Sequence, residues 1–347
     1  MTSSTSWHSI HGILQMTSAL RLFLALLTIC SVSASSAQTA DAPALPKLTE
    51  VQIKSSLDGT QQPSLYWAPE SATTRETPLL VFLHSWSGNY QQKNDAWQRQ
   101  AVERGWIYLH PDFRGRNNSP QACGSKFARQ DVLDAIDFVS GKFKVDRRRV
   151  YLAGTSGGGH MSMLMAGHQP DRFSAVSAWV GISDLSAWYH FHVKDGKPQK
   201  YAQMILASLG GAPGEHRDRD ADYQDRSPLF HLKRIGDLPI ELAAGIRDGH
   251  TGSVPVSHTL LAWNEIAKAN EGEQIPSDDI ARLNTLGGQQ AELNDKLKQL
   301  SVDTQLGRKV VLRRMAGKSR VTIFDGGHEG IAPAACDWLS QQIRTTR

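Results

Sequence analysis

Gly154-Thr155-Ser156-Gly157-Gly158 sets a serine inside a Gly-x-Ser-x-Gly pattern, and its neighbours decide what that serine can do. Val150-Tyr151-Leu152-Ala153 before it is an apolar strand-like run, and a helical pattern begins directly after it. A strand that reverses into a helix at a serine exposes the hydroxyl and points the helix's first amides at the reacting centre. The chemistry this suits is nucleophilic attack on a carbonyl carbon with a covalent acyl intermediate. A glycine-rich joint between any strand and any helix is the bland alternative.

A serine nucleophile needs a base, and the base needs an acid to orient it. With 13 histidines in the chain, position must choose among them. His328 stands in Asp325-Gly326-Gly327-His328-Glu329-Gly330, a flexible turn after the strand-like Val321-Thr322-Ile323-Phe324. Asp248 occupies the same kind of place after the apolar run 240–244 and completes the order Ser156, Asp248, His328. Asp184 is the rival acid, although Gly181-Ile182-Ser183-Asp184 reads more simply as a turn. The oxyanion of a tetrahedral intermediate calls for two preorganised donors. These are expected to be the backbone N–H of Gly157 and that of Trp86, in the loop His84-Ser85-Trp86-Ser87-Gly88. Trp188 and Tyr189 are expected to bind substrate beside Trp86, with ordinary core packing as the alternative for such rings.

The elements that must position these residues follow from apolar runs and helical spacing. Runs at 79–83, 106–110, 150–153, 175–180, 240–244 and 321–324 are continuous enough for parallel strands covered on both faces. Helical patterns fill 91–104, 130–140, 158–168, 257–269 and 333–344. The alternation predicts an α/β fold with a doubly wound, mostly parallel sheet. An opening hairpin is expected through Asp58-Gly59, and insertions at about 185–236 and 271–315 interrupt the rhythm. The first insertion is expected to border the site and the second to be a surface excursion. Asp131, Asp134 and Asp137 recur on one predicted helix and read as a solvated face.

Residues 1–37 have the make-up of a signal peptide: Arg21, an apolar core over 22–30, then small residues ending at Ala34 or Ala37. The apolar core is too short for a comfortable span, so a secreted or periplasmic chain with no membrane association after cleavage is expected. An Ala- and Pro-rich linker, 38–47, leads into one catalytic domain, 48–347. Loss of residues 1–37 removes one Arg and no acid, so the formal charge of +4 falls by one. That weak, dispersed charge gives no case for nucleic-acid binding. Of three cysteines, Cys123 and Cys336 lie outside the leader. A disulfide between them is expected in an oxidising compartment, with two buried thiols as the alternative. No cofactor is called for. A metal site built on His190 and His192 lacks a recognisable third ligand. A non-catalytic binding protein would be favoured by loss of a triad residue, and none is lost.

Together, Pro111-Asp112-Phe113-Arg114-Gly115, the elbow Gly154-Thr155-Ser156-Gly157-Gly158-Gly159, Asp248 and Gly327-His328 resemble the catalytic domain of the prolyl oligopeptidase family. The resemblance covers most of residues 75–345. It implies the α/β-hydrolase fold and a Ser156–Asp248–His328 triad. No propeller-sized domain is expected before the catalytic one, and an open site is expected with that. Single-domain secreted proteins of this look include carbohydrate and other carboxylic esterases. The expected substrate is therefore a small ester or an acylated carbohydrate, with a peptide as the alternative.

Overall fold

The computed structural model describes residues 44–345. The expected leader, 1–37, and the expected linker up to residue 43 lie outside the described residues. The chain opens with β1 (Thr49–Lys54) and β2 (Gln61–Trp67), an antiparallel hairpin whose turn places Gly59 at φ 74°. There follow β3 (Thr77–Leu83), α1 (Asp95–Glu103), β4 (Ile107–Pro111), α2 (Lys126–Lys142), β5 (Val145–Thr155), α3 (Gly157–His168) and β6 (Ala175–Trp179). The first insertion contributes α4 (Leu185–Phe191), the two-residue strands β7 (Val193–Lys194) and β8 (Lys197–Pro198), α5 (Lys200–Leu209) and α6 (Arg217–Asp225). After β9 (Ile240–Gly245) come α7 (Ser257–Ala269), α8 (Ser277–Leu286), α9 (Gln290–Lys298), β10 (Val302–Asp303), β11 (Arg308–Ala316), β12 (Ser319–Phe324) and α10 (Ala332–Ser340).

The main sheet runs β1-β2-β4-β3-β5-β6-β9-β12-β11-β10. Its middle, from β4 to β12, is parallel, and antiparallel partners flank it on both sides. Every residue of β3, β4, β6 and β9 is buried, as strands covered on both faces must be. This is the α/β-hydrolase fold. Parallel order brings the carboxyl ends of β3, β5, β9 and β12 to one edge of the sheet. The loops carrying Trp86, Ser156, Asp248 and His328 all leave from that edge.

Two expectations need correction. The segment 271–315 is more than a surface excursion, because it ends in β11, nine residues paired antiparallel with β12. Four charged side chains hide that strand's pattern, while Leu283, Leu286, Leu293 and Leu297 join the main core. The acidic face of α2 is solvated only in part: Asp137 is exposed and Asp134 half-buried, but Asp131 is not. Asp131 is 2% exposed and receives the guanidinium of Arg114, which also reaches Asp58 at 2.7 Å and Ser55 Oγ at 3.0 Å. A buried carboxylate is tolerated only with such a partner, so the helix face serves to anchor the opening hairpin.

Candidate active site

Ser156 sits between β5 and α3 at φ 61°, ψ −118°. A non-glycine residue there stores about 1–3 kcal/mol of strain, which the surrounding contacts must hold. They hold it tightly. A Cβ on Gly154 would lie 2.3 Å from the Gly158 backbone, so only glycine lets strand and helix close on each other. The Ser156 amide is fixed by the carbonyl of Trp179 at 2.9 Å. Eleven of the twelve residues of α3 are buried, so the helix that starts at the serine runs through the core. Its N-terminal partial charge therefore faces the reaction centre with little screening.

Gly157 abuts the Trp86 loop. A Cβ there would come within 2.2 Å of the Trp86 nitrogen. The two amides expected to hold an oxyanion are thus neighbours, which their separation of 71 positions in sequence conceals. The loop is braced by Gln92, whose Oε1 accepts from the Ser85 amide at 2.9 Å and whose Nε2 donates to Asn94 Oδ1 at 2.9 Å. The Trp86 carbonyl accepts from the Asn117 amide at 3.0 Å. The indole itself is 2% exposed and packs edge-on against Trp188 and His160, so the ring anchors the loop while the backbone serves the site.

On the other side, His328 Nδ1 lies 2.8 Å from Asp248 Oδ2. A carboxylate can only accept, so Nδ1 carries the hydrogen and Nε2 is left as the basic nitrogen. Asp248 is buried, and its Oδ1 accepts from the amides of Gly249 at 2.9 Å and Val254 at 3.1 Å. Both loops are cross-tied: Ile246 and Arg247 donate their amides to Phe324 and Gly326, and Arg247 pairs with Asp325 at 2.6 Å. Asp184 is elsewhere employed. It caps α4, accepting from the Ser186 and Ala187 amides.

Ser156 and His328 line one open depression of about 410 Å³ together with Ser85, Trp86, Ser87, Gln92 and Tyr201. Gln92 and Tyr201 had no sequence signal. Tyr201 reaches the site only because α5 folds over it. Trp188 and Tyr189 are not among the lining residues, which overturns their expected binding role. They belong to a second core built by the first insertion, with Leu185, Ile205, Leu209, Tyr223 and Trp86. Trp188 is wholly buried, and its Nε1–H donates to the Ser253 carbonyl at 2.7 Å, beside the Asp248 loop. Trp188→Ala should therefore cost about 3–5 kcal/mol in urea unfolding, as expected for a large ring removed from a packed core. Undiminished stability with a raised KM would return Trp188 to substrate binding.

The expected disulfide is also absent. Cys123 and Cys336 are free and buried in different cores, Cys123 with the insertion and Cys336 on α10 in the main core. Burial pushes both thiols up to about 12, so neither is a thiolate near neutral pH. His190 and His192 do not converge as ligands: His192 Nε2 lies 2.9 Å from the Ser253 carbonyl and His190 is exposed. Among the described residues His168, Asp225 and His231 do cluster, but Arg129 holds Asp225 Oδ2 at 3.0 Å through both terminal nitrogens. A guanidinium in that position opposes a cation.

Sheet order and elbow are those of the α/β-hydrolase fold, on the plan of the prolyl oligopeptidase catalytic domain, with Ser156, Asp248 and His328 standing where that fold carries nucleophile, acid and base. The chain belongs to the family described as X-Pro dipeptidyl-peptidase (S15 family), which matches residues 58–267. It is 26% identical over 175 residues to the uncharacterized peptidase YtmA of Bacillus subtilis, covering 50% of this chain and 62% of that one. It is also 26% identical over 154 residues to an acetylxylan esterase of Coprinopsis cinerea, covering 41% of each. Among solved structures, an acylaminoacyl peptidase of Pyrococcus horikoshii superposes with a TM-score of 0.52 at 20% identity, over 65% of this chain and 36% of that one. The chain thus spans less than two thirds of these relatives, and the last likeness speaks for the fold alone.

Proposed function

We propose that this serine hydrolase is exported and cleaves carboxylic esters through an acyl-enzyme on Ser156, with an acylated carbohydrate as one fitting substrate. The observation that carries the mechanism is the 2.8 Å contact between His328 and Asp248, with His328 and Ser156 lining the same depression. His328 Nε2 takes the Ser156 Oγ proton as Oγ bonds to the ester carbon. The carbonyl oxygen gains the negative charge and is met by the amides of Gly157 and Trp86. The C–O bond to the leaving group then breaks, and His328 returns the proton to the departing oxygen. Water, deprotonated by the same nitrogen, attacks the acyl carbon and frees the acid and Ser156.

Two things favour an ester over a peptide. None of the side chains lining the depression carries a carboxylate, whereas removal of a dipeptide calls for an acid to hold the substrate's free ammonium. One of the relatives named above is an acetylxylan esterase. The peptidase reading has the family description and the Bacillus subtilis relative in its favour, so matched substrates must decide. With the same small acyl group, kcat/KM for an aryl or sugar ester should exceed that for the corresponding amide, and a fluorophosphonate should label Ser156 as the amides are left intact. Efficient amide cleavage with negligible ester turnover would replace the esterase reading by the peptidase one.

A further inference from the structure

The depression over Ser156 does not end at its rim. A second one, of about 430 Å³, adjoins it at Ser87, which lines both. Its walls are Ser87, Arg116, Asn118, Lys200, Gln203 and Met204, with Ala207 at the edge. The wall is made across two elements: Arg116 leaves the loop after β4, while Lys200, Gln203 and Met204 line one side of α5. Met204 Sδ accepts from Ser87 Oγ at 3.7 Å, which holds α5 against the oxyanion loop.

The charge of this second depression is one-sided. It contains two cations and no carboxylate. Among the described residues neither Arg116 nor Lys200 forms an ion pair, whereas Arg114, Arg129 and Arg226 nearby are each matched to an aspartate. Two unmatched cations around one concavity raise the local potential for an anion. Asn118 and Gln203 add polar side chains to the same wall, the Gln203 Nε2 also donating to the Pro198 carbonyl at 3.0 Å.

We infer that the Arg116–Lys200 depression receives a carboxylate on the acyl part of the substrate, so that the enzyme prefers esters whose acyl group carries a second, ionised carboxyl. This rests on the hydrolase reading above. The acyl side follows from the proton path. His328 gives its proton to the leaving oxygen, so the leaving group stands on the His328 side. The second depression meets the first at Ser87 and shares neither Ser156 nor His328 with it. Ser87, the residue the two share, follows Trp86 of the oxyanion pair, and the acyl part is assigned to that side. Arg116 offers a planar pair of donors to a carboxylate and Lys200 a point charge beside it.

The test uses two esters that differ in one charge: mono-4-nitrophenyl adipate, and the same compound with its free carboxyl methylated. At low ionic strength the wild-type protein should favour the charged ester in kcat/KM, and salt at about 0.5 M should largely erase the preference. Arg116→Gln and Lys200→Gln should each lower kcat/KM for the charged ester about two- to fivefold, mainly through KM, as for exposed ion pairs. The neutral ester offers neither cation a partner and should change by less than about twofold in the same variants. Equal turnover of the two esters by the wild type, or a preference that survives in the double variant, overturns the proposal. A wild type that cleaves neither ester and takes up no fluorophosphonate overturns the hydrolase reading itself, whereas one that is labelled but cleaves neither ester overturns only the proposal.

Discussion

Ser156→Ala should reduce ester kcat by about 10⁶-fold while leaving the thermal midpoint nearly unchanged. The size follows from the triad acting as a unit: without Oγ, His328 has no proton to take and the oxyanion amides have no attacked carbonyl to receive. The second half of the expectation comes from the elbow. Ser156 is held at φ 61°, where the strain arises from the Cβ, and alanine keeps that atom. The folded state should therefore be strained to the same degree, and no new contact is created or lost in the core. Ser156→Gly makes the contrast, since it removes the Cβ and the strain with it. Both variants should be inactive, and the glycine variant alone should gain stability from the elbow. Turnover by correctly folded Ser156→Ala within a factor of ten of the wild type would remove Ser156 from the chemistry.

Much of this was legible in sequence because the catalytic loops follow buried strands. β3, β5, β9 and β12 are apolar enough to be read directly, and the motif residues stand at their ends. The elbow carries its own geometric requirement in Gly154 and Gly158. What sequence could not give was lateral contact. Trp86 and Trp188 look alike as aromatic residues near a site, yet one presents its backbone to Gly157 and the other is sealed beneath it. Tyr201, one residue into an amphipathic helix, shows no mark of facing Ser156. β11 was hidden because it lies next to the end of the sheet, covered by β10 over two residues only, and can carry charges on its exposed face. The cysteines failed as a pair because a count of two says nothing of which core each thiol joins.

Asp248→Asn should lower kcat by about 10⁴-fold, far more than the loss of one charge in a partly exposed site would suggest. The two backbone amides of Gly249 and Val254 both point at Oδ1 of Asp248. Asparagine can meet them only with its carbonyl oxygen, which turns its NH₂ toward His328. An NH₂ donates, so Nδ1 of His328 must become the acceptor and the ring hydrogen moves to Nε2. The nitrogen that should take the Ser156 proton is then already occupied. The fold should survive, because the amide keeps both loop hydrogen bonds and the side chain's shape. Asp184→Ala is the matched control at the rival acid. It removes the α4 cap and should cost about 1 kcal/mol of stability with little change in kcat. The pH profile separates the tautomer argument from simple misfolding. In Asp248→Asn, activity should return in part at high pH, where hydroxide or an ionised serine needs no base, whereas a misfolded site gains nothing from alkali. A large kcat loss in Asp184→Ala, with Asp248→Asn near wild type, would transfer the orienting role to the earlier strand.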